Sequence, residues 1–207
     1  MSPHAIAVLR QGVTPEQVGR WVTALAGAVE IDRGIDPVGD LDPRRRWASP
    51  AGAGAVVQIQ GHQTEALRSA IPAHARLGIL LVERRELWRD GAAAPTPGDQ
   101  GGLTQISFVA ARPGADFARR YARHIDIVRT EHPGVAHYRQ DVVVDRVDTD
   151  TMLDDTAAVS QLWFATESDF ADRYYASDAS PAIVRTDVEA FLDYEGTWSV
   201  LTRAHHR

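Results

Sequence analysis

The chain has 207 residues and a formal net charge of −6, with 44% hydrophobic and 24% charged residues. That is the profile of a globular protein of one large domain or two of about a hundred residues. It holds no cysteine, and all 22 of its basic residues are arginine, which excludes thiolate nucleophiles, thiolate metal sites, disulfides and lysine Schiff bases. No apolar run approaches the ~20 residues of a membrane span, no secretory signal opens the chain, and no basic block exceeds Arg44 to Arg46. The expectation is a cytoplasmic protein with neither membrane nor nucleic acid as partner.

In chain order, His4 to Arg10 reads as a strand and Thr14 to Glu30 as a helix. Thr14 is its cap, Pro15 its first residue and Gln17 the partner of a capping box. A second strand is poorly signalled within residues 36–52. Ala53 to Gly61 and Arg76 to Trp88 then read as strands around a helix at Thr64 to Ala75. Residues 89–102, RDGAAAPTPGDQGG, have no apolar periodicity and carry the Gly, Ala and Pro of a linker.

Beyond it, Leu103 to Ala111 is a strand, and a helix beginning near Phe117 ends before Pro133 and Gly134. Val135 to Val147 and Ala157 to Thr166 are strands separated by the acidic loop DTDTMLDDT. Two helical stretches, ESDFADRYYAS and SPAIVRTDVEAFLD, precede a last strand at Thr197 to His205. The order β-α-β-β-α-β fits both halves. Val18, Val22, Leu25 and Val29 fall in phase with Phe117, Tyr121, His124 and Val128, 99 residues apart (18 and 117). The economical expectation is an internal repeat, with a degenerate copy at 1–88, a linker at 89–102 and a second copy at 103–207.

On a helical wheel with Phe117 at zero, Tyr121 lies at about 40°, His124 at about −20°, Val128 at about 20° and Ile125 at about 80°. Asp126, Arg119 and Arg123 lie at about 180°, 200° and 240°, the solvent side, so Asp126 is not expected to partner His124. His124 is thus central in an apolar stripe, with Tyr121 one turn before it. The pair could line a cavity between helix and sheet, as a base and a hydroxyl donor, or His124 could be a core histidine satisfied by a hydrogen bond.

On the strand after it, His137, Arg139 and Asp141 alternate with Tyr138, Gln140 and Val142, and either face could be the inner one. The strand through Trp163 is apolar on both faces, which suits a central position and makes Gln161 either a network anchor or a substrate contact. Tyr174 and Tyr175 read as packing residues, His132 as a helix-end residue and His205 and His206 as a frayed end. No His, Asp or Glu spacing reads as a metal site, and no phosphate loop or nucleophile elbow is present.

The second half resembles the EthD domain, a branch of the dimeric α+β barrel superfamily. The resemblance rests on the strand ending in RPG, the helix from Phe117, HPGVAHY opening the next strand, QLWF in the third, and an acidic turn into an aromatic helix. It covers roughly Leu103 to His206, and the first half resembles a worn second copy. Where the family carries a histidine eight residues after the helix phenylalanine, this chain has Ile125, with His124 displaced by one. Gln161 replaces the usual acidic residue before LWF.

The resemblance implies an α+β fold of two tandem ferredoxin-like units forming an intramolecular barrel, a monomeric pseudodimer or a homodimer. It implies a cofactor-independent enzyme, with no metal, acting on a hydrophobic, aromatic or polyketide small molecule. A cyclase or dehydratase type of lyase is the leading expectation, with His124 as base, Tyr121 or Tyr138 as donor, and Phe117, Val128, His137, Gln161, Trp163 and Phe164 as further pocket residues. A non-catalytic small-molecule-binding protein and a cofactor-free monooxygenase are the alternatives.

Overall fold

The computed structural model describes residues 2–23, 25, 29–34, 53–61, 63–89 and 102–206. In chain order the elements are β1 (Ser2–Arg10), α1 (Pro15–Thr23), β2 (Val29–Gly34), β3 (Ala53–Gln60), α2 (Thr64–Ala70), a 3₁₀ turn at Ala73–Ala75 and β4 (Arg76–Arg89). There follow β5 (Leu103–Ala111), α3 (Phe117–Glu131), β6 (Val135–Val147), α4 (Thr151–Asp154), β7 (Thr156–Phe164), α5 (Glu167–Asp172), α6 (Ser180–Val188) and β8 (Leu192–His206).

The strands form one closed antiparallel barrel in the order β1-β3-β2-β8-β5-β7-β6-β4. Split at the middle of the chain, this gives β4-β1-β3-β2 and β8-β5-β7-β6, the same order twice. The halves meet at two seams, β2 against β8 and β4 against β6.

Strands buried on both faces carry continuous apolar runs, not alternation, and Ala5 to Leu9 of β1 are all fully buried. Ala5, Ala7 and Leu9 pack outward with Val18 and Leu67 of the first-half helices. Ile6 and Val8 point inward, where they meet Ile106, Phe108, Val159, Trp198 and Val200 of the other half. In the second half the layer between sheet and helices is divided. Tyr138, Leu162, Phe164, Phe170 and Tyr174 form one cluster, and Val109, Tyr121, Ala158 and Phe191 another.

The capping box at α1 is formed: the Gln17 backbone N–H donates to Thr14 Oγ1 (3.3 Å) and the Thr14 backbone N–H to Gln17 Oε1 (2.7 Å). At α3 the Asp116 side chain accepts from the Arg119 N–H, and Tyr121 and Val128 are buried on the face the wheel assigns to the core. Arg119, Arg123 and Asp126 are exposed.

Several boundaries differ from expectation. Helix α1 ends at Thr23, whose hydroxyl bonds back to the Gly19 carbonyl (2.6 Å), and Val29 opens β2 instead of closing the helix. The Val-Glu-Ile-Asp alternation of period two suits a strand paired on both sides. The 99-residue spacing therefore fails beyond the helix. Pairing register instead relates Ile6 to Ile106, each opposite a glutamine, and those glutamines are Gln58 and Gln161. Strand β8 starts five residues before Thr197, at Leu192, and the acidic loop contains α4. Strand β4 includes Arg89, while residues 24 and 26–28 of the expected first helix, 36–52 of the expected strand region and 90–101 of the expected linker lie outside the described residues.

Candidate functional site

A cavity of about 110 Å³ separates the two second-half clusters, between α3 and the outward faces of β5, β6, β7 and β8, with Val184 and Val188 of α6 at its rim. A void of roughly 150 Å³ accommodates benzene, so this one encloses less than a whole aromatic ring, and an aromatic ligand would extend past α6.

Helix α3 delivers Tyr121, His124 and Val128 to the cavity wall because steps of three and four residues keep them on one face. His124 Nδ1 lies 2.7 Å from Asp187 Oδ2, with the imidazole 11% and the carboxylate 33% exposed. A carboxylate can only accept, so Nδ1 carries the proton of this bond and Nε2 of the neutral ring is left as the acceptor. The ring packs on Phe191 at 5.6 Å. Asp187, not Asp126, is the partner of His124.

Beside this pair lies a trio of hydroxyls. Tyr121 Oη is 2.7 Å from Ser160 Oγ, and Ser160 also interacts with the Tyr138 phenol. Gln140 Nε2 donates to Tyr138 Oη (3.1 Å) and to the Tyr121 carbonyl (2.7 Å), which holds the strand to the helix. Three O–H protons serve at most two bonds within the trio, leaving at least one to donate to a ligand. Burial pushes the Tyr121 phenol well above its ordinary range and that of Tyr138 up to about 12, so both stay protonated donors near neutrality.

Of the other expected pocket residues, Val128 and Tyr138 line the cavity. Phe117 backs it, stacked on Tyr121 at 5.1 Å. Phe164 shares the Leu162 face but packs against Phe170 and Tyr174. Gln161, Trp163 and His137 project from the opposite face, toward the barrel interior, because side chains alternate along a strand and Ser160, Leu162 and Tyr138 take the cavity side.

Gln161 is a network anchor there. It exchanges amide hydrogen bonds with Gln58 (3.1 and 2.9 Å) and donates to Asp141 Oδ2 (2.6 Å). Arg84 grips Asp141 with two bonds of 2.8 Å and also donates to Gln58. His137 lies 3.9 Å from Glu86, which also accepts from Arg139.

Residues that sequence reasoning passed over complete the cavity. Tyr174 and Tyr175 line it, as does His132, whose Nδ1 bonds the Tyr174 carbonyl (2.6 Å) while its backbone caps α3. On the strands, Ser160 belongs to a row that runs straight across the sheet: Ser199, Ser107, Ser160 and Gln140 are successive register partners on β8, β5, β7 and β6. The period-two spacing of Gln105 and Ser107 on a helix-covered face was the available signal. Among the described residues no group of three or more His, Asp or Glu side chains is placed to hold a metal ion, and no helix is long and apolar enough to cross a membrane.

Taken together, the closed antiparallel barrel and the helices packed on its outer face define an α+β barrel fold with a lateral cavity. The chain is similar over 99% of its length, and 95% of the other's, to a candidate monooxygenase from Lactobacillus acidophilus NCFM, at 7% identity and a TM-score of 0.53. An anthrone oxidase-like protein matches at 14% identity and TM-score 0.61, covering 100% of this chain and 93% of its own. A candidate monooxygenase from Fusobacterium nucleatum matches at 8% and 0.59, covering 98% and 92%. At such identities the likeness shows the fold. No protein-family model matches the chain and no curated protein does, so the EthD resemblance stands at the level of the barrel.

Proposed function

We propose that the cavity is the active site of an oxygenase or oxidase acting on a small, uncharged aromatic compound with an acidic C–H or O–H. The observation that carries this reading is the His124–Asp187 pair opening beside a hydroxyl trio with a spare donor, in an aromatic cavity that no arginine lines among the described residues. His124 Nε2 takes the substrate proton, Asp187 steadies the resulting imidazolium, and the trio donates to the oxygen on which negative charge develops.

The substrate anion then supplies the electrons for dioxygen. A new C–O bond gives a hydroperoxide, protonated from His124. His124 removes the second proton from the same carbon as the O–O bond breaks, leaving a ketone and water: R₂CH₂ + O₂ → R₂CO + H₂O. The electrons come from the substrate, so the proposal calls on no cofactor or metal.

The names carried by similar structures, candidate monooxygenase and anthrone oxidase-like protein, support this reading over the cyclase and lyase one, which would use the same base and donor without oxygen. The test is oxygen uptake with anthrone as probe. Uptake equal to ketone formed is expected, falling about 10²–10⁴-fold in His124→Ala. Product without oxygen uptake would favour the cyclase reading, and anthrone bound but recovered unchanged would favour a binding protein. The repeated strand order also supports reading the halves as tandem copies of one unit that closes the barrel within one chain.

A further inference from the structure

We propose that the β5/β8 floor of the cavity is a second oxygen-binding subsite, selecting substrates that carry a second uncharged oxygen meta to the one held by the hydroxyl trio. The proposal rests on the reading of the cavity as a substrate site. Ser107 and Ser199 are register partners with their Oγ atoms 2.7 Å apart. The Tyr174 hydroxyl donates to Gln105 Oε1 (3.1 Å), and Gln105 Nε2 donates to Ser107 Oγ (3.1 Å).

The direction of this chain matters. Ser107 Oγ receives the amide proton, and the serine pair then has two O–H protons and one shared bond. One hydroxyl proton is left to donate into the cavity that both serines line. The donor is aligned by neighbours that are themselves held, the arrangement that suits an acceptor oxygen arriving with a ligand.

The fold does not need these groups. At the register-equivalent positions of the first half stand Ala5, Ala7 and Ile79, all fully buried in an apolar layer. A polar group buried in such a layer is costly unless hydrogen-bonded, and the bonds among these groups leave one hydroxyl proton over. Ser107 is also the register partner of Ser160 in the trio. Cross-strand neighbours have Cβ atoms about 4.5–5.5 Å apart, comparable to the span between meta-related oxygens on one benzene ring and longer than that between ortho-related ones. The absence of an arginine from the lining, among the described residues, argues against a carboxylate at either position.

The experiment is anaerobic calorimetry with 1-naphthol, 1,3-dihydroxynaphthalene and 1,5-dihydroxynaphthalene. Wild-type protein is expected to bind the 1,3-isomer about 5–10-fold more tightly than the others, the worth of one net hydrogen bond. In Ser107→Ala or Ser199→Ala the remaining hydroxyl can turn to the cavity, so each loses about twofold or less of that preference. The double variant loses it all, Ser199→Thr keeps it, and 1-naphthol affinity stays within about twofold throughout. If the double variant fails to fold, Gln105→Met, which releases the aligned hydroxyl, is expected to cut the preference to about threefold or less.

Equal losses for all three probes, or no wild-type preference, would overturn the subsite while leaving the cavity as a site for aromatic compounds. Wild-type protein that binds none of the naphthols would overturn both.

Discussion

One row of four residues separates the two halves of this barrel. In the first half Ile79, Ala7, Val57 and Ile31 are register partners across β4, β1, β3 and β2. In the second half the same row is Ser199, Ser107, Ser160 and Gln140. The strand order is repeated, but among the described residues the outward layer of the first half is apolar, while that of the other is parted by a cavity whose walls can donate hydrogen bonds. A shared fold thus leaves the choice between packing and chemistry to a few positions on one face of a sheet.

The largest effect is expected where the halves join. Arg84 and Asp141 are 3% and 0% exposed, so Arg84→Met strands a buried carboxylate, and urea unfolding should show a loss of about 3–5 kcal/mol. A single transition would show that both halves unfold together; loss confined to one of two transitions would show that the seam does not couple them.

Next, Leu67→Ala opens a void in the apolar layer of the first half and should cost about 2–5 kcal/mol, with naphthol affinity unchanged. Val128→Ala, beside an existing cavity, should cost less and alter ligand preference, and the reverse ranking would erase the contrast drawn between the two layers.

A third effect belongs to the second half alone. Tyr121 and Tyr138 have folded-state pKa values raised by burial above the ordinary value of 10.0, so the folded state holds their protons more tightly than the unfolded chain. Their contribution is full below pH ~10 and is lost as pH rises from there through the folded value, about 12 for Tyr138, at up to about 1.4 kcal/mol per pH unit for each group. Tyr138→Phe should flatten the alkaline stability profile; an unchanged slope would mean that this phenol is not shielded. Smallest is Thr14→Ala, which removes the α1 cap and should lower thermal stability by about 1 kcal/mol without touching the cavity.

Much of the second half was legible in the sequence. The spacing of Tyr121, His124 and Val128 gave the inward face of α3, and β6 runs over the expected residues, Val135–Val147. Asp187 was not legible, because it lies 63 residues from His124 on a separate helix and only the packing of α6 against α3 brings them together. Nor was the face of His137, Gln161 and Trp163, since strands covered on both sides lack the period-two signal that assigns one.

The polar row was hidden for another reason. Matching it to the first half requires a spacing of 100 residues at Ala7 and Ser107 but 103 at Val57 and Ser160, so no constant shift aligns the halves.

The barrel closes through β2–β8 and β4–β6 within a single polypeptide. Both seams are tethered, so dilution acts on them only through unfolding of the whole, and among the described strands no edge is left open for a neighbouring molecule to extend. In a ring made from two identical chains every substitution is written twice. Here each is written once, so a serine can replace an alanine beneath one set of helices while the opposite wall keeps its apolar filling.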